Sequence, residues 1–193
     1  MSKFIVLEGI DGSGKSSVIE SIKKDHPGYH YTREPTDSEP GRLAKKAANR
    51  DNSPYKDLFL YLADRVEHTE EIEEELKSEN IVICDRYWGS TSAYQAASDE
   101  ISLDYTESVQ MPFILKPDLT ILFDISPEIS LKRIKDRERM SKYERIDFLK
   151  KVRENYLHLA KKHGWEIIDA ERSPADVLSD VDRLLKQKID PER

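Results

Sequence analysis

One cysteine, Cys84, occurs in 193 residues, so no disulfide can close within the chain, which fits a reducing compartment such as the cytoplasm. Seven glycines and nine prolines exclude collagen-like and low-complexity classes. No stretch approaches the roughly 18 consecutive apolar residues that a membrane-spanning helix needs. The apolar run near the start, Phe4–Leu7, is too short for the core of a secretion signal. The five histidines are scattered at positions 26, 30, 68, 158 and 163, without the spacing of a metal site. Positive charge is also short: Lys and Arg total 31 against 38 Asp and Glu, a net −7, so the surface as a whole does not favour nucleic acid. Apolar residues make up 37% and charged residues 36%, against roughly 45–50% and 25% in an average domain. The expectation is a modest core under a highly charged surface, in one domain spanning residues 1–193.

Strand-like and helix-like segments alternate along the chain. Lys3–Glu8, Ile81–Cys84, Leu119–Ile125 and Glu166–Asp169 read as short β-rich runs, and Tyr29–Thr32 as a weaker fifth. Near-continuous apolar strands suit a parallel sheet covered on both faces. Helical spacing links Leu58, Leu62, Val66, Thr69, Ile72 and Leu76, a stripe equally suited to the core or to a dimer contact. Phe148, Val152, Tyr156, Leu159 and Ala160 form a second stripe. Ser173-Pro174 opens a last helix through Leu185. The pattern predicts an α/β fold of three layers, a five-stranded parallel sheet flanked by helices joined by right-handed crossovers. Six glutamates between Glu67 and Glu75 read as a solvated helix face. Residues 132–153 carry ten basic and four acidic side chains, a local surplus within an acidic chain that suits an anionic ligand.

Gly9-Ile10-Asp11-Gly12-Ser13-Gly14-Lys15-Ser16 fits the pattern G-x-x-x-x-G-K-S/T between a strand and a helix, the context a phosphate loop requires. Its glycines let backbone N–H groups surround phosphate oxygens, and the following helix adds its positive N-terminus. Lys15 is suited to β- and γ-phosphates and the Ser16 hydroxyl, with Ser17 beside it, to a Mg²⁺-bound nucleotide. This points to a nucleoside triphosphate without saying what is done with it. No Asn-Lys-x-Asp guanine-reading motif follows, which argues against a switch GTPase. Arg33 and Arg86 each follow a strand, at the same sheet edge as the loop. Together they form a forked clamp for a monophosphate. Asp85 closes its strand as a carboxylate suited to Mg²⁺.

Glu8 to Ser16, Thr32-Arg33-Glu34-Pro35, Ala63-Asp64-Arg65, Asp85-Arg86-Tyr87, Ser90, Ala93-Tyr94-Gln95 and Lys116-Pro117-Asp118-Leu119-Thr120 occur in an order and spacing that resemble the thymidylate kinases. So does Leu131-Lys132-Arg133-Ile134 followed by arginines. The resemblance covers nearly the whole chain and implies a P-loop nucleoside monophosphate kinase fold with a basic lid at about residues 133–146. It implies transfer of a phosphoryl group from ATP with Mg²⁺ to dTMP, as a homodimer in the cytoplasm, with neither nucleic acid nor membrane as partner. Asp11 falls where family members contact the sugar 3′-hydroxyl. Tyr61 and Arg65 fall where an aromatic stacks on thymine and an arginine bonds its O4, although the aromatic is usually Phe. Thr91 matches a polar position at the base edge, and Tyr94 the aromatic that disfavours ribose. The loop has Gly12 where some members carry a catalytic arginine, so the lid is expected to supply that charge. Arg137 is the first choice, then Arg133 and Arg139.

Other readings stay open at this point. A P-loop binding switch would hold nucleotide without turning over a monophosphate. A deoxynucleoside kinase would need a base to activate a hydroxyl. Within the kinase reading, a broader enzyme acting on dTMP and dUMP is the alternative.

Overall fold

The computed structural model describes residues 2–48, 50, 53–134 and 145–189. Five strands, β1 (Lys3–Glu8), β2 (His30–Arg33), β3 (Ile81–Asp85), β4 (Leu119–Asp124) and β5 (Glu166–Asp169), form one sheet in the order β2-β3-β1-β4-β5. Every pairing is parallel. Successive residues of a strand face opposite sides of a sheet, and Phe4 through Glu8 are all buried. Both faces of the centre are therefore covered, as continuous apolar strands require. The edge strands are more open, and in β5 Ile167 is half exposed. The five strands agree with those read from the sequence to within a residue or so at their ends.

The helices are α1 (Lys15–Asp25), α2 (Glu39–Ala47), α3 (Pro54–Lys77), α4 (Trp88–Ala96), α5 (Leu103–Ser108), α6 (Pro127–Ile134), α7 (Ile146–His163) and α8 (Pro174–Ile189). Helix α1 packs with α8, while α4 packs against α3, α5 and α7. Ser173 does cap α8, accepting from the Asp176 N–H at 3.2 Å. Most of the first stripe is buried, but Val66 is 42% exposed and breaks it. Glu67, Glu70, Glu71 and Glu74 are exposed, as expected of a solvated face. Helix α4 is buried almost all round, so it shows no amphipathic period. Helix α2, with no counterpart among the segments read from the sequence, contains Pro40 and Gly41 near its start. The proline sits in the first turn and Ser38 caps the helix, while a Cβ on Gly41 would lie 2.5 Å from Asp64 Oδ1. Among the described residues no helix is long and apolar enough to cross a membrane.

Candidate active site

Because the strands are parallel, Glu8, Arg33, Asp85 and Asp124 all close their strands at one edge. The phosphate loop leaves β1 there. Gly9 (φ +143°) and Gly12 (φ +76°) adopt backbone conformations that L side chains rarely reach. Space forbids a side chain at both: an added Cβ would lie 2.7 Å from the Phe123 carbonyl oxygen at Gly9 and 2.7 Å from the Ser130 carbonyl oxygen at Gly12. The Ser130 hydroxyl of α6 donates to the Asp11 carbonyl at 2.6 Å and fixes the loop. Gly14 begins α1 without a side-chain cap, and the first turn carries no acid. The free N–H groups of such a first turn suit phosphate.

Lys15 is buried, and its Nζ donates to the Gly9 carbonyl at 2.8 Å, the Ile10 carbonyl at 3.3 Å and Ser13 Oγ at 3.2 Å. Burial, with the positive Arg86 guanidinium nearby, lowers the ammonium to about 8, against the pull of Asp85, Asp11 and Glu8. Gly12, Ser13, Gly14, Lys15, Ser16 and Ser17 line a cleft of about 250 Å³ together with Asp11, Asp85, Arg86 and Arg133. Arg133 lies beside the loop, its Nη1 donating to the Ala170 carbonyl at 2.9 Å and the Gly12 carbonyl at 3.4 Å. Arg137 and Arg139, with most of the basic segment 133–146, lie outside the described residues. Part of the surrounding basic surplus is matched by acids. Arg153 grips Asp124 with two bonds of 2.6 and 2.7 Å, and Lys150 pairs with Glu128 at 3.3 Å.

A second cleft of about 350 Å³ adjoins the first. Asp11 and Arg86 line both. Arg33, Tyr61, Arg65, Thr91 and Tyr94 line the second, so every acceptor residue expected from the sequence is brought to one hollow. Arg86 has a left-handed backbone, φ +68°. Such a conformation costs a non-glycine residue on the order of 1–2 kcal/mol. Its N–H still continues the ladder, donating to the Leu7 carbonyl at 2.9 Å, while its side chain enters the cleft 5.4 Å from the centre of the Tyr94 ring. Burial opposes the Arg86 charge, but Tyr94, Asp11, Tyr156 and Asp85 outweigh it and hold the group well above its ordinary value.

Arg65 is fully buried and held by a polar scaffold. It bonds Glu34 and Gln110, and its Nη2 donates to Thr91 Oγ1 at 3.0 Å. His68 Nδ1 donates to the other Glu34 oxygen at 3.0 Å, with Thr32 Oγ1 2.6 Å from its Nε2. The Gln110 amide is oriented in turn by Ser92 Oγ at 2.9 Å and the Thr106 carbonyl at 2.6 Å. Burial works against the Arg65 charge, and Glu34 offsets this and raises the group above its usual value. Arg65 Nε and Gln95 Nε2 are buried without a hydrogen-bond partner among the described residues, and both residues line the cleft.

Sequence reasoning left several of these residues without a role. Lys45 and Gln95 line the second cleft. Asp64 accepts from Thr36 N–H at 2.9 Å and from Ser38 Oγ at 2.7 Å, fixing the turn between Arg33 and α2. The Ala-Asp-Arg motif contained that signal, since a buried carboxylate needs donors. Gln110 and His68 gave no such signal, because their partners come from distant segments.

Asp85 Oδ1 is buried without a hydrogen-bond partner among the described residues, and Asp85 and Ser16 both line the loop cleft. A carboxylate oxygen and a hydroxyl lining one phosphate cleft suit a hard divalent cation. These residues therefore fit Mg²⁺.

The family model described as thymidylate kinase matches residues 7–181. Similar curated proteins include the "Probable thymidylate kinase" of Pyrobaculum aerophilum, 43% identical with 96% of this chain and 97% of that protein covered. The protein of the same description from Pyrobaculum calidifontis is 42% identical at the same coverage. That of Methanosarcina barkeri is 40% identical with 93% of each chain covered.

Proposed function

The chain belongs to the thymidylate kinase family, and on that premise we propose how its own side chains phosphorylate dTMP with ATP. The reading rests on one observation: the loop cleft and the acceptor cleft are neighbours that share Asp11 and Arg86. A donor phosphate in one and an acceptor phosphate in the other would meet at that wall.

The triphosphate of ATP lies in the loop, on the backbone N–H groups at the start of α1 and on Lys15. Ser16 and Asp85 would hold Mg²⁺, which would supply neutralising charge on phosphate oxygens. The dTMP phosphate is gripped by Arg86 and Arg33, with Lys45 close by. Tyr61 stacks on the base, and its hydroxyl keeps its proton because burial raises it to about 12. Arg65 donates to the base O4, Thr91 and Gln95 meet the base edge, Tyr94 crowds the sugar 2′ position, and Asp11 accepts from the 3′-hydroxyl. The acceptor phosphate oxygen is already ionised, so transfer needs no general base. The protein contributes alignment and electrostatic stabilisation. Arg133, beside the loop, and Arg137 supply the further positive charge that Gly12 does not.

We place this activity in a single kinase domain in the cytoplasm, in keeping with the lone buried Cys84. A homodimer is supported by the exposed apolar side chains Leu43 on α2 and Phe59 and Val66 on α3. A coupled ATP-consumption assay across dTMP, dUMP, dCMP, dGMP, AMP, UMP and thymidine tests the function. Turnover is expected with dTMP and to a lesser degree with dUMP. Turnover of thymidine instead would replace this reading with a nucleoside kinase, and none at all with a binding switch.

A further inference from the structure

Glu8 and Tyr156 are buried polar groups that the reaction outlined above leaves unused. Glu8 closes β1 and is 1% exposed. Its Oε1 accepts from the Tyr87 and Ser90 N–H groups at 3.0 and 3.1 Å. They are the N–H groups of the cap residue and of the third residue of α4, and Tyr87 itself supplies no side-chain acceptor. The carboxylate of one strand thus caps the helix that follows another. Its Oε2 takes the Ser90 hydroxyl at 2.6 Å and the Tyr156 hydroxyl at 3.2 Å. Those two hydroxyls lie 2.7 Å apart, and Arg86 Nη1 donates to them at 3.2 and 3.3 Å.

We propose that Tyr156 is a positioning residue that holds the Arg86 guanidinium in its phosphate-gripping orientation, with Glu8 and Ser90 orienting the Tyr156 hydroxyl. The inference rests on the assignment of Arg86 to the acceptor phosphate. The two terminal nitrogens of Arg86 have different partners. Nη2 meets Asp11, a carboxylate on the partly exposed wall between the clefts. Nη1 donates to the neutral Ser90 and Tyr156 hydroxyls on the buried side. A hydroxyl orients a guanidinium without cancelling its charge, whereas Glu8 in direct contact would form an ion pair that competes with phosphate. Placing Ser90 and Tyr156 between Glu8 and Arg86 keeps the carboxylate's orienting effect and leaves the cation's charge for the substrate. Tyr156 belongs to α7 and Ser90 to α4, two helices that pack together, so the orientation is built from separate segments. A long side chain fixed in this way loses less freedom when it grips its ligand.

Titration calorimetry of dTMP and thymidine against four full-length proteins tests this: wild type, Tyr156→Phe, Arg86→Lys and the double variant. Phe keeps the ring that packs edge-on to Tyr94 and removes only the hydroxyl. Tyr156→Phe is expected to weaken dTMP about tenfold, the scale of one oriented hydrogen bond to a charged group, and to leave thymidine unchanged. Arg86→Lys should weaken dTMP more, and the double variant should be no weaker than Arg86→Lys alone, because Tyr156 acts through Arg86. If Arg86→Lys leaves the preference for dTMP over thymidine intact, the acceptor assignment itself is wrong. If Arg86→Lys abolishes the preference while Tyr156→Phe spares it, or weakens both ligands equally, Tyr156 is only a packing residue and the inference is overturned. Should Tyr156→Phe not fold, Glu8→Gln carries the test, with a smaller loss of about threefold expected for dTMP alone. Equal weakening of both ligands, or of neither, in that variant likewise overturns the inference.

Discussion

Asp11 Oδ1 and Arg86 Nη2 stand 2.7 Å apart on the wall between the two clefts. Sheet register brings them together. Asp11 follows β1, Arg86 follows β3, and the two strands pair with Leu7 opposite Asp85. The pair holds the guanidinium at the junction, where an incoming phosphate would compete with Asp11 for Nη2. On the proposed assignment of Arg86, replacing it by Ala would remove the cation from both the acceptor ground state and the transferring phosphoryl group. The expected loss in kcat/KM for dTMP is about a thousandfold, roughly 4 kcal/mol. Asp11→Asn should cost far less, with its effect concentrated in discrimination against a 3′-deoxy acceptor. Steady-state kinetics with dTMP and 3′-deoxy-dTMP check both. An Arg86→Ala enzyme within tenfold of wild type would remove this residue from the site.

Lys15 gives a pH dependence with a definite sign. Burial and the Arg86 charge lower its ammonium to about 8. Below that value the free enzyme carries the cation that phosphate needs. Above it the site must take up a proton before ATP can bind at full strength. ATP affinity is therefore expected to be flat up to pH 8 and then to fall about tenfold per pH unit in the alkaline direction. Calorimetric titration from pH 6 to pH 10 measures the curve. In Lys15→Arg, whose guanidinium stays charged throughout, the alkaline fall should vanish. A fall that persists in the arginine variant would assign the titration to another group.

The phosphate loop and the strands were readable because their signals are local. Glycine at Gly9 and Gly12 answers a backbone and space requirement, and β1 is apolar because both its faces are buried. Arg33 and Arg86 could be placed because strand ends in a parallel sheet share an edge. Long-range partners could not be read. Gln110 reaches Arg65 from 45 positions away, and Tyr156 reaches Glu8 across 148. Neither position differs in sequence from an ordinary exposed glutamine or core tyrosine. Helix α4 escaped because a helix buried on all sides has no period to detect. Helical spacing puts the first stripe on one face, yet Val66 at its margin is exposed with Phe59 while Leu58 and Leu62 are buried.

Arg65 gives a prediction about the base. A guanidinium only donates hydrogen bonds, and here it is buried against Glu34, Gln110 and Thr91. A 4-keto group meets that donor well, whereas the 4-amino group of cytosine sets donor against donor. dCMP is expected to react with kcat/KM at least about a hundredfold below dUMP, the scale on which a site rejects a ligand that leaves its polar groups unpaired. The same burial makes the scaffold costly to break. Glu34→Ala would leave Arg65 charged and unpaired, a loss of about 3–5 kcal/mol of stability. Denaturant unfolding of Glu34→Ala reads the second effect, and competitive turnover of the two nucleotides the first. Equal turnover of dCMP and dUMP would mean that Arg65 does not face the 4-position.

The apolar side chains on α2 and α3 lead to a prediction about assembly. Phe59 is 55% exposed, Val66 42% and Leu43 46%, and α2 packs on α3. Seven positions separate Phe59 from Val66, which sets them two turns apart on one side of α3. The adjoining flank of the helix, through Leu58 and Leu62, is buried in its own cluster. Large apolar groups aligned on an outward face favour burial against another molecule, and a second copy presents the same face, as a twofold contact requires. Wild-type protein is expected to sediment at twice the chain mass. Phe59→Glu and Val66→Glu, which force a charge into the contact, should shift it to the single-chain mass. ATP affinity should be unchanged, because neither residue lines the phosphate loop cleft. Sedimentation of wild type as a single chain at micromolar concentration would show that this face does not join two copies.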